Sequence, residues 1–170
     1  MYESWIKTIL VGIDGSKYAE SALEAAIDIA KRYSAKLFIV YIHPLPSMPL
    51  VTGVPAYPHI ITHFPDYYPK ASPEVKEKIE PLLKKYVKMA IEHGIKEVES
   101  KILPFWGSVG EGLISFADEN KASVIVIGSR GLTGLKRVLL GSVADYVIRN
   151  AHCNVLVIRA ALCQNEKSSY

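Results

Sequence analysis

Three glycines and one serine in the C-terminal third of the chain have a spacing that suits anion binding. They are arranged as Gly128-x2-Gly131-x9-Gly141-Ser142. Gly128 and Gly131 are expected to allow positive φ angles and to remove the Cβ atoms that keep a ligand from the backbone. A helix that begins at Gly141-Ser142 would direct its free N–H groups and its positive dipole end at the same space, with the Ser142 hydroxyl as a further donor or as the cap. This pattern predicts a phosphate site; the alternative is that the glycines only turn the chain.

Polar side chains near these glycines are candidates for further ligand contacts. Asp14 follows an apolar run near the N-terminus. It could accept hydrogen bonds from ribose hydroxyls or help to hold a divalent metal, or it could bond its own backbone in a turn. Ser129 and Arg130 lie between the first two glycines, where they could reach phosphates or be solvated. Thr133 and Lys136 could approach a terminal phosphate.

Short apolar runs precede both Asp14 and the glycines. Runs of this length, rich in β-branched residues, predict buried parallel strands because they are too short for an ordinary helix. The third run is more polar and alternates, which suits the edge of a sheet. The predicted strands cover residues 7–13, 37–42, 98–103, 124–127 and 155–158.

Helices are predicted between these strands from apolar side chains at helical spacing and from capping residues. Ser16 is a plausible N-cap, Ser72 is followed by proline and glutamate, and Ser108 forms a capping box with Glu111. Pro81 should kink the second helix or mark a restart. The predicted helices run from residue 16 to 33, 72 to 94, 108 to 120 and 141 to 150.

Five strands that alternate with helices predict the α/β class, as an open, doubly wound parallel sheet with helices on both faces. In such sheets a ligand binds beyond the carboxyl ends of the strands, where the strand order reverses. Asp14 and Gly128 each end one of the predicted strands. Both are therefore candidates for one site at this edge of the sheet.

The composition predicts a single soluble domain over residues 1–170, with 49% hydrophobic and 22% charged residues. Residues 44–72 are dense in proline, which excludes a regular helix or a central strand and predicts a loop insertion. Residues 160–170 are expected to form a loose polar tail.

Several classes of partner are not expected. A net charge of +3 without a block of Lys or Arg does not predict a nucleic-acid partner. No apolar run reaches the length of a membrane span, and residues 1–5 do not resemble the start of a signal peptide. With Cys153 and Cys163 as the two cysteines, a disulfide framework is not expected, and a cytoplasmic location fits best.

Other ligand motifs are weak or missing. His59, His63 and Asp66 lie close in sequence, but they do not complete a ligand set, so no metal site is predicted. The chain has no Gly-x4-Gly-Lys-Ser/Thr loop. Its Gly107-x2-Gly110-x-Gly112 spacing differs from the dinucleotide fingerprint.

The complete glycine spacing, after a buried strand and before a helix, resembles the ATP-binding signature of the universal stress protein family. Residues 9–16, Ile-Leu-Val-Gly-Ile-Asp-Gly-Ser, resemble the opening strand of that family. Residues 117–131 resemble its approach to the glycine loop, and residues 153–159 resemble its last strand. The resemblance thus covers nearly the whole chain.

This resemblance implies the strand order 3-2-1-4-5, which places Asp14 beside Gly128. It implies an ATP site, with or without Mg²⁺, in which Ile42 contacts adenine through its backbone and Asp14 contacts the ribose. The phosphates would lie on the amides of the glycine loop and of residues 141–143. A homodimer through the last strand, Val155–Ile158, is also implied. The expected nucleotide-binding residues are Gly12, Ile13, Asp14, Ile42, Ile127, Gly128, Ser129, Arg130, Gly131, Gly141, Ser142 and Val143.

The function that the resemblance implies is that of a dimeric, ATP-binding universal stress protein that acts as a binding or switch module in the stress response. One alternative is a dimeric scaffold that binds partners without nucleotide. A slow, Mg²⁺-assisted ATPase is a further alternative, although no general base for fast hydrolysis stands out.

Overall fold

Strands and helices alternate along the residues that the computed structural model describes, which are 4–45, 71–132 and 140–159. In chain order, the elements are β1 (Thr8–Gly12), α1 (Lys17–Tyr33), β2 (Lys36–Leu45), α2 (Pro73–Glu92), β3 (Val98–Trp106), α3 (Val109–Glu119), β4 (Val124–Gly128), α4 (Ser142–Asn150) and β5 (Asn154–Ile158).

The strands form one parallel sheet in the order β3-β2-β1-β4-β5. This confirms the predicted fold class and strand order. The order reverses at β1, which pairs with β2 on one side and with β4 on the other. The carboxyl ends of β1 and β4 therefore lie side by side at the reversal, where parallel sheets bind their ligands.

Helices cover both faces of the sheet. One apolar cluster joins α1 and α2 to side chains such as Ile9, Val11 and Val126. A second cluster joins α3 and α4 to side chains on the opposite face, such as Leu10 and Ile125. Each of these strand residues is fully buried. Burial on both faces explains why β1 and β4 are apolar without alternation.

Three of the four helices in the described part of the chain begin with a serine cap, as predicted. Ser16, Ser72 and Ser108 each accept a hydrogen bond from the amide three residues later, at 3.2, 3.4 and 3.2 Å. The Ser108 amide also donates to the Glu111 carboxylate at 2.6 Å, which completes the capping box. Helix α4 instead has Gly141 at its N-cap. The expectation that Ser142 caps this helix is wrong, because Ser142 is already its first helical residue.

Strands β2 and β3 both end three residues later than predicted, and β2 also begins one residue earlier. Pro44 and Leu45 pair with Phe105 and Trp106, so the irregular stretch does not begin at Pro44. Pro44 is tolerated because it lies past the end of β1, where β2 has a partner on only one side. Pro104 is tolerated because β3 is the predicted edge strand.

Helix α2 runs without interruption through Pro81, so of the two expected effects, a kink or a restart, the restart is excluded. Ile79 lies before the proline and Leu83, Tyr86 and Ala90 lie after it, and all four are buried. Their burial on one apolar face stabilises the helix on both sides of the missing N–H group.

Some predictions fall outside the described residues. They concern His59, His63 and Asp66, most of the proline-rich stretch, the tail from residue 160, and Thr133 and Lys136 in the glycine loop. In the part of the chain that is described, no helix combines the length and the hydrophobicity that crossing a membrane requires.

Candidate functional site

A cavity of about 290 Å³ lies at the carboxyl ends of β1 and β4. This volume is at the lower end of the range for ligand pockets, about 300–1,000 Å³. One part of its wall is apolar, and the other consists of glycines and the first turn of α4. The cavity is lined by Gly12, Ile13, Asp14, Ala19, Val40, Ile42, Val109, Leu113, Ile127, Gly128, Arg130, Gly131, Leu132, Gly141, Ser142, Val143 and Ala144.

Eleven of the twelve residues expected to bind nucleotide line this cavity, and Ser129 is the exception. Ser129 is 3% exposed. Its amide donates to the Ile158 carbonyl at 2.7 Å, and its carbonyl accepts from the Gly141 amide at 2.7 Å. Ser129 thus ties the glycine loop to β5 and to the start of α4 through its backbone.

Glycine is required at positions 128 and 131 because a side chain there would clash with neighbouring protein atoms. The expectation of positive φ at these residues is wrong, because among the described glycines only Gly15, Gly94 and Gly107 have positive φ. A Cβ atom on Gly128 would lie 2.7 Å from the Tyr18 carbonyl carbon. A Cβ atom on Gly131 would lie 2.8 Å from Oδ2 of Asp14. The two glycines therefore let the loop approach α1 and Asp14 closely.

Asp14 joins the end of β1 to the glycine loop. Its Oδ1 accepts from the Ser16 amide at 2.9 Å, which is the turn interaction considered as an alternative. Its Oδ2 accepts from the Leu132 amide at 3.1 Å, across 118 positions of sequence. The side chain also lines the cavity, so the turn bond does not remove it from the site.

The first turn of α4 presents uncapped amides to the cavity. Gly141 has φ −74° and ψ 157°, close to the −78° and 157° of the serine cap Ser108, but it provides no side-chain hydrogen bond. The amides of Ser142, Val143 and Ala144 have no carbonyl partner within the helix, because they belong to its first turn. All three residues line the cavity, where the helix dipole adds positive potential.

Arg130 adds a full positive charge to the same part of the wall. Its Nη1 donates to the Tyr18 hydroxyl at 3.3 Å, and its guanidinium carbon lies 5.8 Å from the centre of the Tyr18 ring. The amides, the dipole and the guanidinium together make this end of the cavity suited to an anion.

Residues 6–159 match the profile of the universal stress protein family. The chain belongs to this family. The match extends from the start of β1 to the end of β5, so it includes every residue of the cavity.

Known universal stress proteins resemble this one in sequence and in fold. MJ0531 of Methanocaldococcus jannaschii is 38% identical over 157 residues, which cover 92% of this chain and 84% of that protein. The structure of UspA from Lactobacillus plantarum is similar with a TM-score of 0.72 and 24% identity, covering 92% of this chain and 99% of that one. A universal stress protein solved in complex with cAMP has a TM-score of 0.65 and 26% identity, covering 93% and 100%.

Six residues of this universal stress protein line the cavity without having been predicted from the sequence. Val40 could have been predicted as a cavity residue from the sequence, because it lies two residues before Ile42 on the same face of β2. Val109 and Leu113 are one helical turn apart in α3, but only the packing of that helix directs them at the cavity. The other three are Ala19, Leu132 and Ala144.

Two charged side chains from the described residues line the cavity of this universal stress protein. Among the described residues, Asp14 is the only carboxylate and Arg130 the only cation in the wall. The same part of the chain contains no group of three or more His, Cys, Asp or Glu residues that could hold a metal ion.

Proposed function

We propose that this universal stress protein binds adenine nucleotides, in particular ATP, in the cavity at the carboxyl ends of β1 and β4. The observation that carries the proposal is the uncapped first turn of α4 beside the glycine loop, both in the wall of one partly apolar cavity. An uncapped helix start in this position binds phosphate. The apolar part of the wall suits a flat base.

Each part of the nucleotide has complementary groups in the cavity. The adenine would lie against Gly12, Ile13, Ile42 and Ile127, with the backbone of Ile42 as its polar contact. The apolar side chains of Val40 and Leu113 extend this surface. The similarity to a universal stress protein in complex with cAMP, an adenine nucleotide, supports the same class of ligand here.

The ribose and phosphates would occupy the polar part of the cavity. Asp14 keeps lone pairs for ribose hydroxyls, because a carboxylate has about four acceptor sites and two amides already donate to this one. The phosphates would lie on the amides of Gly128–Gly131 and Gly141–Val143, beside Arg130.

Mg²⁺ would fit this site only if the phosphates of a bound nucleotide also coordinate it. Mg²⁺ is commonly held by one or two carboxylates together with substrate phosphates and water. In the described part of the wall, Asp14 alone offers a carboxylate. We therefore propose a binding or switch module in the stress response, without rapid hydrolysis.

We also propose that the protein works as a homodimer joined through Val155–Ile158. Strand β5 lies at the edge of the sheet, and these four apolar residues are only partly buried in the single chain. An exposed apolar edge strand favours pairing with another chain.

Isothermal titration calorimetry of ATP with the wild type and Gly131→Val tests the proposed binding. The variant should bind ATP more than about tenfold more weakly, a loss of about 1.4 kcal/mol, because its side chain would meet the Asp14 carboxylate in the cavity. Gly94→Ala is the control for general destabilisation, since its left-handed φ of 92° is strained but its Cβ would meet nothing within 4 Å. It should bind ATP normally.

Equal ATP affinity in the wild type and Gly131→Val would remove the loop from the site. If the wild type binds no adenine nucleotide, the proposal is wrong, and the alternative of a nucleotide-independent dimeric scaffold takes its place.

A further inference from the structure

We propose that Tyr18 is a positioning residue for Arg130, and that this pair determines how strongly the site discriminates among nucleotides by the length of their phosphate chain. The inference rests on the proposed nucleotide-binding function. It extends that function to a side chain that does not line the cavity.

Two interactions hold the Arg130 guanidinium against Tyr18. The phenol oxygen accepts from Nη1 at 3.3 Å, and the ring lies 5.8 Å from the guanidinium carbon. A free arginine side chain loses rotamer entropy when it becomes ordered. Because Tyr18 already restricts Arg130, less of this loss falls on the binding of a ligand.

Tyr18 is itself fixed to the loop that carries Arg130. It belongs to the first turn of α1, where Ser16 caps the Ala19 amide at 3.2 Å. Its backbone packs so closely on Gly128 that any Cβ atom there would lie 2.8 Å from the Tyr18 carbonyl oxygen. The ring and the guanidinium therefore extend from two backbone segments that are in direct contact.

The positive charge of Arg130 would attract the phosphates of the nucleotide, so its positioning by Tyr18 should affect how they bind. In the described wall of the cavity, Arg130 is the only cation, and its Cα would lie 3.3 Å from a Cβ atom on Gly141, the uncapped start of α4. Each added phosphate group brings further negative charge near the guanidinium, whereas adenosine brings none. Loss of Tyr18 should therefore weaken ATP most and leave adenosine unaffected.

The test is to measure dissociation constants of ATP, ADP, AMP and adenosine for the wild type, Tyr18→Phe and Tyr18→Leu. Tyr18→Leu should weaken ATP by roughly threefold or more, with smaller effects on ADP and AMP and none on adenosine. Tyr18→Phe retains the ring and loses the hydroxyl, so its effect on ATP should be intermediate. It also keeps the test usable if Tyr18→Leu does not fold.

Two controls separate positioning from general stability. Tyr33→Leu changes an exposed tyrosine at the other end of α1 and should alter none of the four constants. In an Arg130→Leu background, Tyr18→Leu should cause no further loss of ATP affinity, because the group that it positions is already absent.

Three results would overturn the inference while leaving the proposed function intact. They are an unchanged ATP affinity in Tyr18→Leu, an equal loss for ATP and adenosine, and a loss that persists in the Arg130→Leu background. A gain in ATP affinity would overturn it too, since Tyr18 would then compete with the phosphates for Arg130. A wild type that binds none of the four ligands would overturn both proposals.

Discussion

Asp14 shows how one carboxylate can serve both the local turn and the distant loop. Its two oxygens accept from the Ser16 and Leu132 amides, at 2.9 and 3.1 Å. The bond to Ser16 is predictable from the sequence, because aspartate before a helix commonly bonds an amide two residues later. The bond to Leu132 depends on the pairing of β1 with β4 and is not visible in the sequence.

Asp14→Asn should lower both stability and ATP affinity. Asparagine has one acceptor oxygen, so its NH₂ group would face one of the two amide donors, at a cost of about 1 kcal/mol. Urea unfolding and calorimetry measure the two effects. Asp28→Asn, at an exposed position of α1, is the control and should change neither. Unchanged values in Asp14→Asn would show that its carboxylate does not hold the loop.

The structure gives the loop glycines a role that the sequence did not predict, close packing on neighbouring protein groups, and the expected positive φ was wrong. Gly128 is required because Tyr18 packs on it, and Gly131 because Asp14 lies beside it. Sequence spacing can mark such positions. It does not reveal which neighbour, more than a hundred residues away, makes the space necessary.

Helix α4 differs from the other described helices in its N-cap residue. Helices α1, α2 and α3 begin at serines whose hydroxyls accept from the amide three residues later. Gly141 adopts the same extended backbone as Ser108 but leaves the corresponding Ala144 amide without a side-chain cap. A glycine cap costs only a few tenths of a kcal/mol relative to serine, so this difference keeps the amide free for a ligand at little cost in stability.

Gly141→Ser should weaken ATP binding more than it lowers stability. The new hydroxyl would accept from the Ala144 amide and compete with phosphate, while its Cβ would lie 3.3 Å from the Cα of Arg130, a tight contact that costs some stability. Calorimetry measures the ATP affinity, and urea unfolding measures the stability. Ser72→Gly, at the start of α2 and away from the cavity, is the reverse control: it should lose a few tenths of a kcal/mol of stability and bind ATP normally. Normal or tighter ATP binding by Gly141→Ser would contradict the role given to these amides.

Local signals predicted the starts of α1, α2 and α3, because a cap and its amide lie within four residues of each other. The length of β2 and β3 could not be predicted in this way. Leu45 pairs with Trp106, 61 positions later, and only that pairing makes an extended strand of a segment that contains Pro44. The part of the cavity wall that Val109 and Leu113 of α3 form could not be predicted either, because it depends on how this helix packs on the sheet.

At the scale of the molecule, alternating strands and helices predicted the α/β class, but the strand order came from the family resemblance. Apolar patterning shows that a strand is buried and does not say which neighbour it pairs with. The order matters for function because it brings Asp14 of one segment to Gly131 of another. The site is therefore a property of the topology.

The edge position of β5 predicts dimerisation of the whole molecule. Strand β5 pairs with β4 along Asn154–Ile158, and its other side has no strand partner among the described residues. Sedimentation velocity of the full chain at micromolar concentrations should show a dimer, since pairing would bury the apolar edge. Sedimentation as a monomer over the whole concentration range would rule out this assembly.

The proposed ATP site lies where the glycine loop meets the start of α4. The most direct test is a titration of the ¹⁵N-labelled protein with ATP, followed through amide chemical shifts. We expect the largest shifts at the amides of Gly131, Ser142 and Val143. The absence of shifts, or shifts confined to residues outside the cavity, such as Lys76 and Ser100 between α2 and β3, would contradict it.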